Sequence, residues 1–409
     1  MKILHTSDWH IGKLLHKKKR HEEFDQFFTW LAGVIEKERI DALLVAGDVF
    51  DTTTPSNHSL ELYYSFLGRI AHTGCRHCVI TAGNHDSPSL LNAPKDILRF
   101  LNIHIIGCVT NSIADEVITL RDSEGKPELI VCAVPYLRDG DIRLSEEGET
   151  PDAKIHKTLD GIRDHYARVV ALAETTRAGL HAEIPIVAMG HLFAAGGRTI
   201  EGDGVRELYV GSLAYVNAEV FPPCLDYVAL GHLHVPQMMG GLETRRYSGS
   251  PIPMGFGEAE QEKCIVVVES GNGHPVVTSI AVPCFQKLKQ VRGSWKEISH
   301  QIKMLIEADA PCWLEIVYDG TDIVGNLQEH IDALIIDTKL TVLTTMDLRR
   351  TQAMLAGFDA SVSLEELTEE EIFLRCLDAR NIAEEHRAGL IDTFREAVAH
   401  LQQHDARAE

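Results

Sequence analysis

The sequence predicts an α/β protein, and three observations carry that expectation. Short β-branched runs alternate with amphipathic helical stretches through residues 1–283, and the early runs each end in a cluster of Asp, Asn or His. A separate strand, helix, strand, helix, strand order then occupies residues 284–348. Strands are expected at 2–7, 42–46, 79–82, 185–189 and 227–230, where apolar residues run unbroken. Between the first two lies a helix over 21–37, because Phe24, Phe27, Phe28, Leu31, Val34 and Ile35 recur at helical spacing. After His232 the runs at 245–247, 264–269 and 276–282 are expected as antiparallel strands closing a second sheet. Two charged helices within 362–403 follow the small domain, with Leu374, Leu377, Ile382, Leu390, Ile391, Phe394, Val398 and Leu401 as their apolar stripe.

Length and composition narrow the class. A chain of 409 residues exceeds one ordinary core, and 44% hydrophobic with 24% charged residues is the balance of a globular protein. No apolar run approaches the ~20 residues that span a bilayer. The opening MKILHTSDWH lacks the charged-then-apolar order of a signal peptide, so a cytoplasmic protein is expected. Of nine cysteines only Cys75 and Cys78 form a C-x-x-C, with no second pair downstream, which favours reduced buried thiols over a zinc site. The net charge of −21 opposes nucleic-acid binding, since Lys and Arg on phosphates dominate such affinity. Its distribution weakens the objection: Lys13, Lys17, Lys18, Lys19 and Arg20 cluster after the first motif, whereas the segment from Asp359 to Glu409 is strongly acidic.

Five strand-terminal motifs bear the chemistry: Asp8-Trp9-His10, Gly47-Asp48-Val49-Phe50-Asp51, Gly83-Asn84-His85-Asp86, Gly190-His191 and Gly231-His232-Leu233-His234. In open α/β sheets, groups beyond the carboxyl ends of the strands converge on one edge. Imidazole nitrogen with carboxylate or amide oxygen, and no thiolate, suits Mn²⁺, Fe²⁺ or Zn²⁺. Two ions need about four protein ligands each. Asp8, His10, Asp48 and His234 make one set, and Asp48, Asn84, His191 and His232 the other, with Asp48 bridging. The glycines ahead of Asp48, Asn84, His191 and His232 are expected to let the backbone turn sharply. Any one Asp-x-His or Gly-His is commonplace in a sequence that binds nothing; five in order, each closing a strand, are not.

The order DxH, GDxxD, GNHD, GH, GHxH resembles the calcineurin-like metallophosphoesterases, and HTSDWHIG, VAGDVFDTTTPS, AGNHDS, ALGHLHVPQ and YSGSPIPMGF resemble the SbcD family of nuclease subunits within them. The resemblance implies a calcineurin-like two-sheet sandwich flanked by helices, a small α/β capping domain and C-terminal helices. It implies a metal-dependent DNA exonuclease and endonuclease acting on double-stranded ends and hairpins in repair and recombination. It also implies two metal ions, Mn²⁺ foremost, and a coiled-coil ATPase of SbcC type bound through the C-terminal helices, with two nuclease subunits in a heterotetramer. His85 is then placed to protonate the leaving group or to stabilise charge on the phosphate. Asp51 orients His85 by accepting its other ring proton, or else caps a turn before Pro55. Asp86 is expected to cap the helix that follows. Lys13, Lys17, Lys18, Lys19 and Arg20 either touch the substrate backbone or form a solvated face.

Two other readings stay open. A small-molecule phosphodiesterase or phosphatase could use the same fold, but a minimal one would lack the second domain and tail. A non-catalytic scaffold would be expected to have lost ligands, and none is missing. No G-x-x-x-x-G-K-[ST] string occurs, so ATP hydrolysis is not expected of this chain. The terminal helices can dock on a partner coiled coil or fold back on their own domain.

Overall fold

Strands form where the apolar runs lie, and their alternate residues face opposite cores. The computed structural model describes residues 1–143, 150–193, 217–270, 274–322 and 324–348, with scattered positions between 373 and 394. Two compact units divide the chain: residues 1–290 with 311–313, and residues 291–310 with 314–409.

In chain order the first unit holds β1 (Lys2–Thr6), β2 (Ala42–Ala46), β3 (His77–Thr81), β4 (Ile103–Ile106), β5 (Val117–Arg121) and β6 (Pro127–Ala133). Next come β7 (Ile186–His191), β8 (Tyr227–Gly231), β9 (Gln237–Met239), β10 (Leu242–Tyr247), β11 (Cys264–Glu269) and β12 (Val276–Ala281). Its helices are α1 (His21–Glu38), α2 (Asn57–Ile70), the short α3 (Pro88–Asn92), α4 (Lys95–Arg99) and α5 (Asp139–Ile142), and the long α6 (Pro151–Leu180). One sheet runs β12-β11-β1-β2-β3-β4 and the other β5-β6-β7-β8-β10-β9. Within the first, β1 to β4 are parallel; within the second, β6, β7, β8 and β10 are parallel.

Side-chain alternation makes the layers. On β2, Leu43 and Val45 face Phe24 and Phe28 of α1 and Phe66 of α2, while Leu44 and Ala46 face the other way. That inner core receives Val131, Met189 and Ala229 from the second sheet. Val228 and Leu230 of β8 face Tyr166, Val169 and Val170 of α6 instead. The result is helix, sheet, sheet, helix. The expectation for the late strands needs correction: β10 joins the second sheet beside β8, but β11 pairs antiparallel with β1 and carries β12 with it into the first. Alternating apolar residues mark a half-buried strand without saying which sheet receives it.

The second unit is built on β13 (Leu288–Gly293), α7 (Trp295–Glu307), β14 (Cys312–Tyr318), α8 (Leu327–Ile335) and β15 (Leu340–Asp347), with sheet order β13-β14-β15. Glu297 starts α7 by accepting the Ser294 backbone N–H at 2.8 Å. The expected helices of 362–403 lie outside the described residues except at scattered positions, where the Phe373 and Phe394 rings stack with centroids 4.2 Å apart. Among the described residues no helix is long and apolar enough to cross a membrane.

Candidate metal centre

Parallel strands deliver their following loops to one edge of each sheet, and there the five motifs meet. Asp8 and His10 follow β1, Asp48 follows β2, and Asn84 and His85 follow β3; His191 is the last residue of β7, and His232 and His234 follow β8. The loops are stitched by main-chain bonds: Asp8 N–H donates to the Gly47 carbonyl at 3.0 Å and His10 N–H to the Asp48 carbonyl at 2.9 Å. Both aspartates also give one oxygen to a neighbouring loop, Asp8 Oδ1 accepting from His232 N–H and Asp48 Oδ1 from His85 N–H, each at 2.8 Å.

Asp8, His10, Asp48 and His232 themselves take positive φ, at 52°, 47°, 49° and 100°. Such strain costs about 1–3 kcal/mol per residue and persists where the surroundings over-determine it. The expected role of the glycines is thereby revised. Gly47 does turn, at φ +84°, but Gly83, Gly190 and Gly231 serve close approach: a Cβ on Gly83 would lie 2.1 Å from Asp48 Oδ1, and one on Gly231 would lie 1.9 Å from the Ala46 carbonyl.

Among the described residues the side chains form three triads, Asp8 with His10 and His234, Asp48 with His191 and His232, and His10 with Asp51 and His85, the nitrogen and oxygen atoms of each lying within 4.8 Å of one another; the first two hold six of the seven expected ligands. His10 Nε2 faces His234 Nε2 at 3.1 Å, and Asn84 Oδ1 stands 3.0 Å from both His191 Nε2 and His232 Nδ1. Asp48 Oδ2 lies 3.5 Å from His10 Nε2 and 3.2 Å from His191 Nε2, so it touches both groups. Burial works against the charge of Asp48, yet His191 and His10 hold its carboxyl well below the usual range. Burial also opposes a charge on His191, and the Asp48 carboxylate overcomes it, raising the ring to about 9. Burial and then His191 push His232 down to about 3.

This donor set fits divalent cations. Its donors are oxygen and imidazole nitrogen, and two imidazole nitrogens, His10 Nε2 and His234 Nε2, face each other. The rings are oriented from behind, as metal-binding histidines usually are. His191 Nδ1–H donates to the Ala46 carbonyl at 3.0 Å, which directs Nε2 into the site.

Other expected residues fall differently. His85 is buried, and its Nδ1–H donates to the main-chain carbonyl of Asp51 at 2.8 Å; the Asp51 carboxylate stands 3.4 Å from His10 Nδ1 and 3.2 Å from Lys13 Nζ. Position 51 thus holds His85 through its backbone, while its side chain serves His10. Asp86 does not cap the next helix; Ser87 does, accepting from Leu90 N–H. Instead the buried Asp86 carboxylate accepts from Val49, Phe50 and Gly83 N–H at 3.1, 2.9 and 2.8 Å, locking two ligand loops together. Lys17, Lys18 and Lys19 are exposed, but Arg20 is 2% exposed and its guanidinium is neutralised by Glu23, so it presents no charge to a phosphate. Glu258 and Lys263, a buried pair behind His234, escaped the motif reading. Their one sequence signal is a carboxylate just after the YSGSPIPMGF stretch, two dozen residues beyond the ligand it backs.

The calcineurin-like phosphoesterase profile matches residues 1–236, and that of the type 5 capsule protein repressor C-terminal domain matches residues 284–381. The SbcD chain of the SbcCD nuclease of Escherichia coli K12 is 35% identical over 397 residues, covering 96% of this chain and 97% of that one. The corresponding chains of Rhodobacter capsulatus and Bacillus subtilis are 37% and 35% identical, each over 67% of both chains. A divalent metal centre is the property of the phosphoesterase family that this donor set fits. By these matches the chain belongs to the calcineurin-like phosphoesterases and, within them, to the SbcD family of nuclease subunits.

Proposed function

We propose that this chain is a metal-dependent DNA nuclease that hydrolyses phosphodiesters at double-stranded ends and hairpins, working with a coiled-coil ATPase of SbcC type. The observation that carries the reading is the Asp48 carboxylate, within 3.5 Å of His10 in one group and 3.2 Å of His191 in the other. On this reading two ions, with Mn²⁺ favoured over Fe²⁺ or Zn²⁺, are held by Asp8, His10, Asp48 and His234 and by Asp48, Asn84, His191 and His232. When bound, they supply an activated water and neutralise charge on the phosphate under attack.

The protein's own groups do the rest. Asp86 and the main-chain bonds between the 8–11 and 47–49 segments keep the ligand loops fixed, so little reorganisation is needed during reaction. With Nδ1–H committed to the Asp51 carbonyl, His85 uses its Nε2 to hand a proton to the departing sugar oxygen. Lys17, Lys18 and Lys19 steady the DNA backbone without reading bases. The acidic C-terminal segment binds the ATPase, and two nuclease chains join two ATPases.

The test is digestion of end-labelled linear and hairpin DNA by the purified chain with Mn²⁺, with and without the ATPase. Cleavage abolished by chelation is expected. Hydrolysis of small nucleotide diesters with both DNA substrates left intact would overturn the reading in favour of a small-molecule phosphodiesterase.

A further inference from the structure

His234 is the last ligand in the chain, and it is backed by residues outside every ligand motif. Its Nε2 faces His10 across 3.1 Å, and its Nδ1 stands 3.4 Å from Glu258 Oε1. Glu258 is fully buried, and among the described residues Oε1 has no hydrogen-bond partner that competes with the ring. Its other oxygen is held by Lys263 Nζ and by Met254 N–H at 3.0 Å, with Ser250 Oγ 3.4 Å away and its hydroxyl closer, at 3.0 Å, to the Ile252 carbonyl. Lys263, 4% exposed, also donates to the His234 main-chain carbonyl at 3.0 Å and to Ser250 Oγ at 3.0 Å. One ammonium therefore grips both the backbone of the ligand and the carboxylate behind its ring.

A buried ion pair contributes little to stability against an apolar replacement of the same volume. A carboxylate behind a metal-binding imidazole does something definite. It takes the proton of the far nitrogen, so that the near nitrogen presents its lone pair in a set orientation. His191 meets that need with a main-chain oxygen, the Ala46 carbonyl. At His234 the group that faces Nδ1 is the carboxylate of Glu258, carried on the connection between β10 and β11.

We infer that Glu258, clamped by Lys263, is a positioning residue that sets the ring of His234 for the ion bound with Asp8 and His10, and so governs the affinity of that ion selectively. The inference rests on the two-ion reading above. Lys263 neutralises the carboxylate locally, so Glu258 orients the ring without adding net negative charge at the ion.

The experiment is a Mn²⁺ titration of the full chain by calorimetry, with ion-free melting measured alongside, for wild type, Glu258→Gln, Glu258→Asp and Lys263→Met. Wild type is expected to take up two ions. The Glu258 variants are expected to bind one of them ~10–100-fold more weakly and the other unchanged. Lys263→Met should shift the same ion in the same direction. A purely structural pair would lower the melting temperature and leave both affinities as they were, which overturns the inference; so would equal weakening of both ions. Should Glu258→Gln fail to fold, Glu258→Asp decides, since it keeps the charge for Lys263 while drawing the carboxylate back from the ring. A wild type that binds no ion overturns the metal reading itself, and this inference with it.

Discussion

His85 and Asp51 divide their work: one touches the proposed reaction and the other touches a ligand. His85 is tethered by a main-chain carbonyl, so replacing the Asp51 side chain leaves that tether in place. His85→Ala is expected to keep both ions and lose roughly 10²–10⁴-fold in DNA cleavage, the range a general acid contributes. Asp51→Asn is expected to lose less activity and to bind ions more weakly, because its carboxylate faces His10 and Lys13. Single-turnover cleavage and ion stoichiometry, measured on both variants, check the pair. A His85→Ala protein depleted of metal would make His85 a ligand. The strand-end positions of the seven expected ligands were legible because each follows an apolar run. Arg20 was not, since nothing local distinguishes a lysine in water from an arginine turned inward onto Glu23 and the Pro253 carbonyl.

Among the elements, the loops after β2 and β3 act as one piece. Asp86 bonds across them, and Gly83 lets their backbones touch. Gly83→Ala would place a methyl 2.1 Å from Asp48 Oδ1 and 2.3 Å from Asp48 N, and backbone cannot yield as a flexible side chain does. The expected result is a loss of about 1–3 kcal/mol of stability, the usual penalty of overpacking, together with impaired metal binding. Denaturant melts with and without Mn²⁺ check both; an unchanged midpoint would show that the loops can separate. The same loops explain why the role of Asp86 is not legible in the sequence. An Asp ahead of a helix is a common cap, and only the fold shows its carboxylate reaching back 36 and 37 residues to Phe50 and Val49.

Across the whole molecule, burial of histidines sets the response to acid. Burial pushes His5 from 6.5 down to about 3, and burial with His77 nearby pushes His104 to about 4. In the unfolded chain both rings take up protons as pH falls through 6.5, while the folded rings stay neutral until far lower. Their contribution to stability is therefore complete above 6.5 and is lost as pH falls toward 4 and then 3. Asp86, raised to about 6 by burial and then by the charge of Asp48, works in the opposite sense, its contribution being lost as pH rises through 6. His232, at about 3, acts in the same sense as His5 and His104, and the gain from His191, at about 9, lies mostly above pH 6.5, so the metal-free protein is expected to melt at lower temperature at pH ~4 than at pH ~7. Calorimetric melts across that window check it, and a midpoint that rises with acid would assign the dominant role to Asp86.

Local pattern was enough to specify the α/β class, the strand-end location of Asp8, His10, Asp48, Asn84, His191, His232 and His234, and the strand, helix, strand, helix, strand order that begins at Leu288. Periodicity and motif spacing are written within a few residues, so they can be read without a fold. Long-range packing was needed to send β11 back to β1, to bring the Asp51 carbonyl onto His85 Nδ1, and to stand Glu258 and Lys263 behind His234. The physical reason is distance along the chain. Asp8 meets His232 across 224 residues, and contacts of that kind are set by how two sheets pack, which no local spacing records.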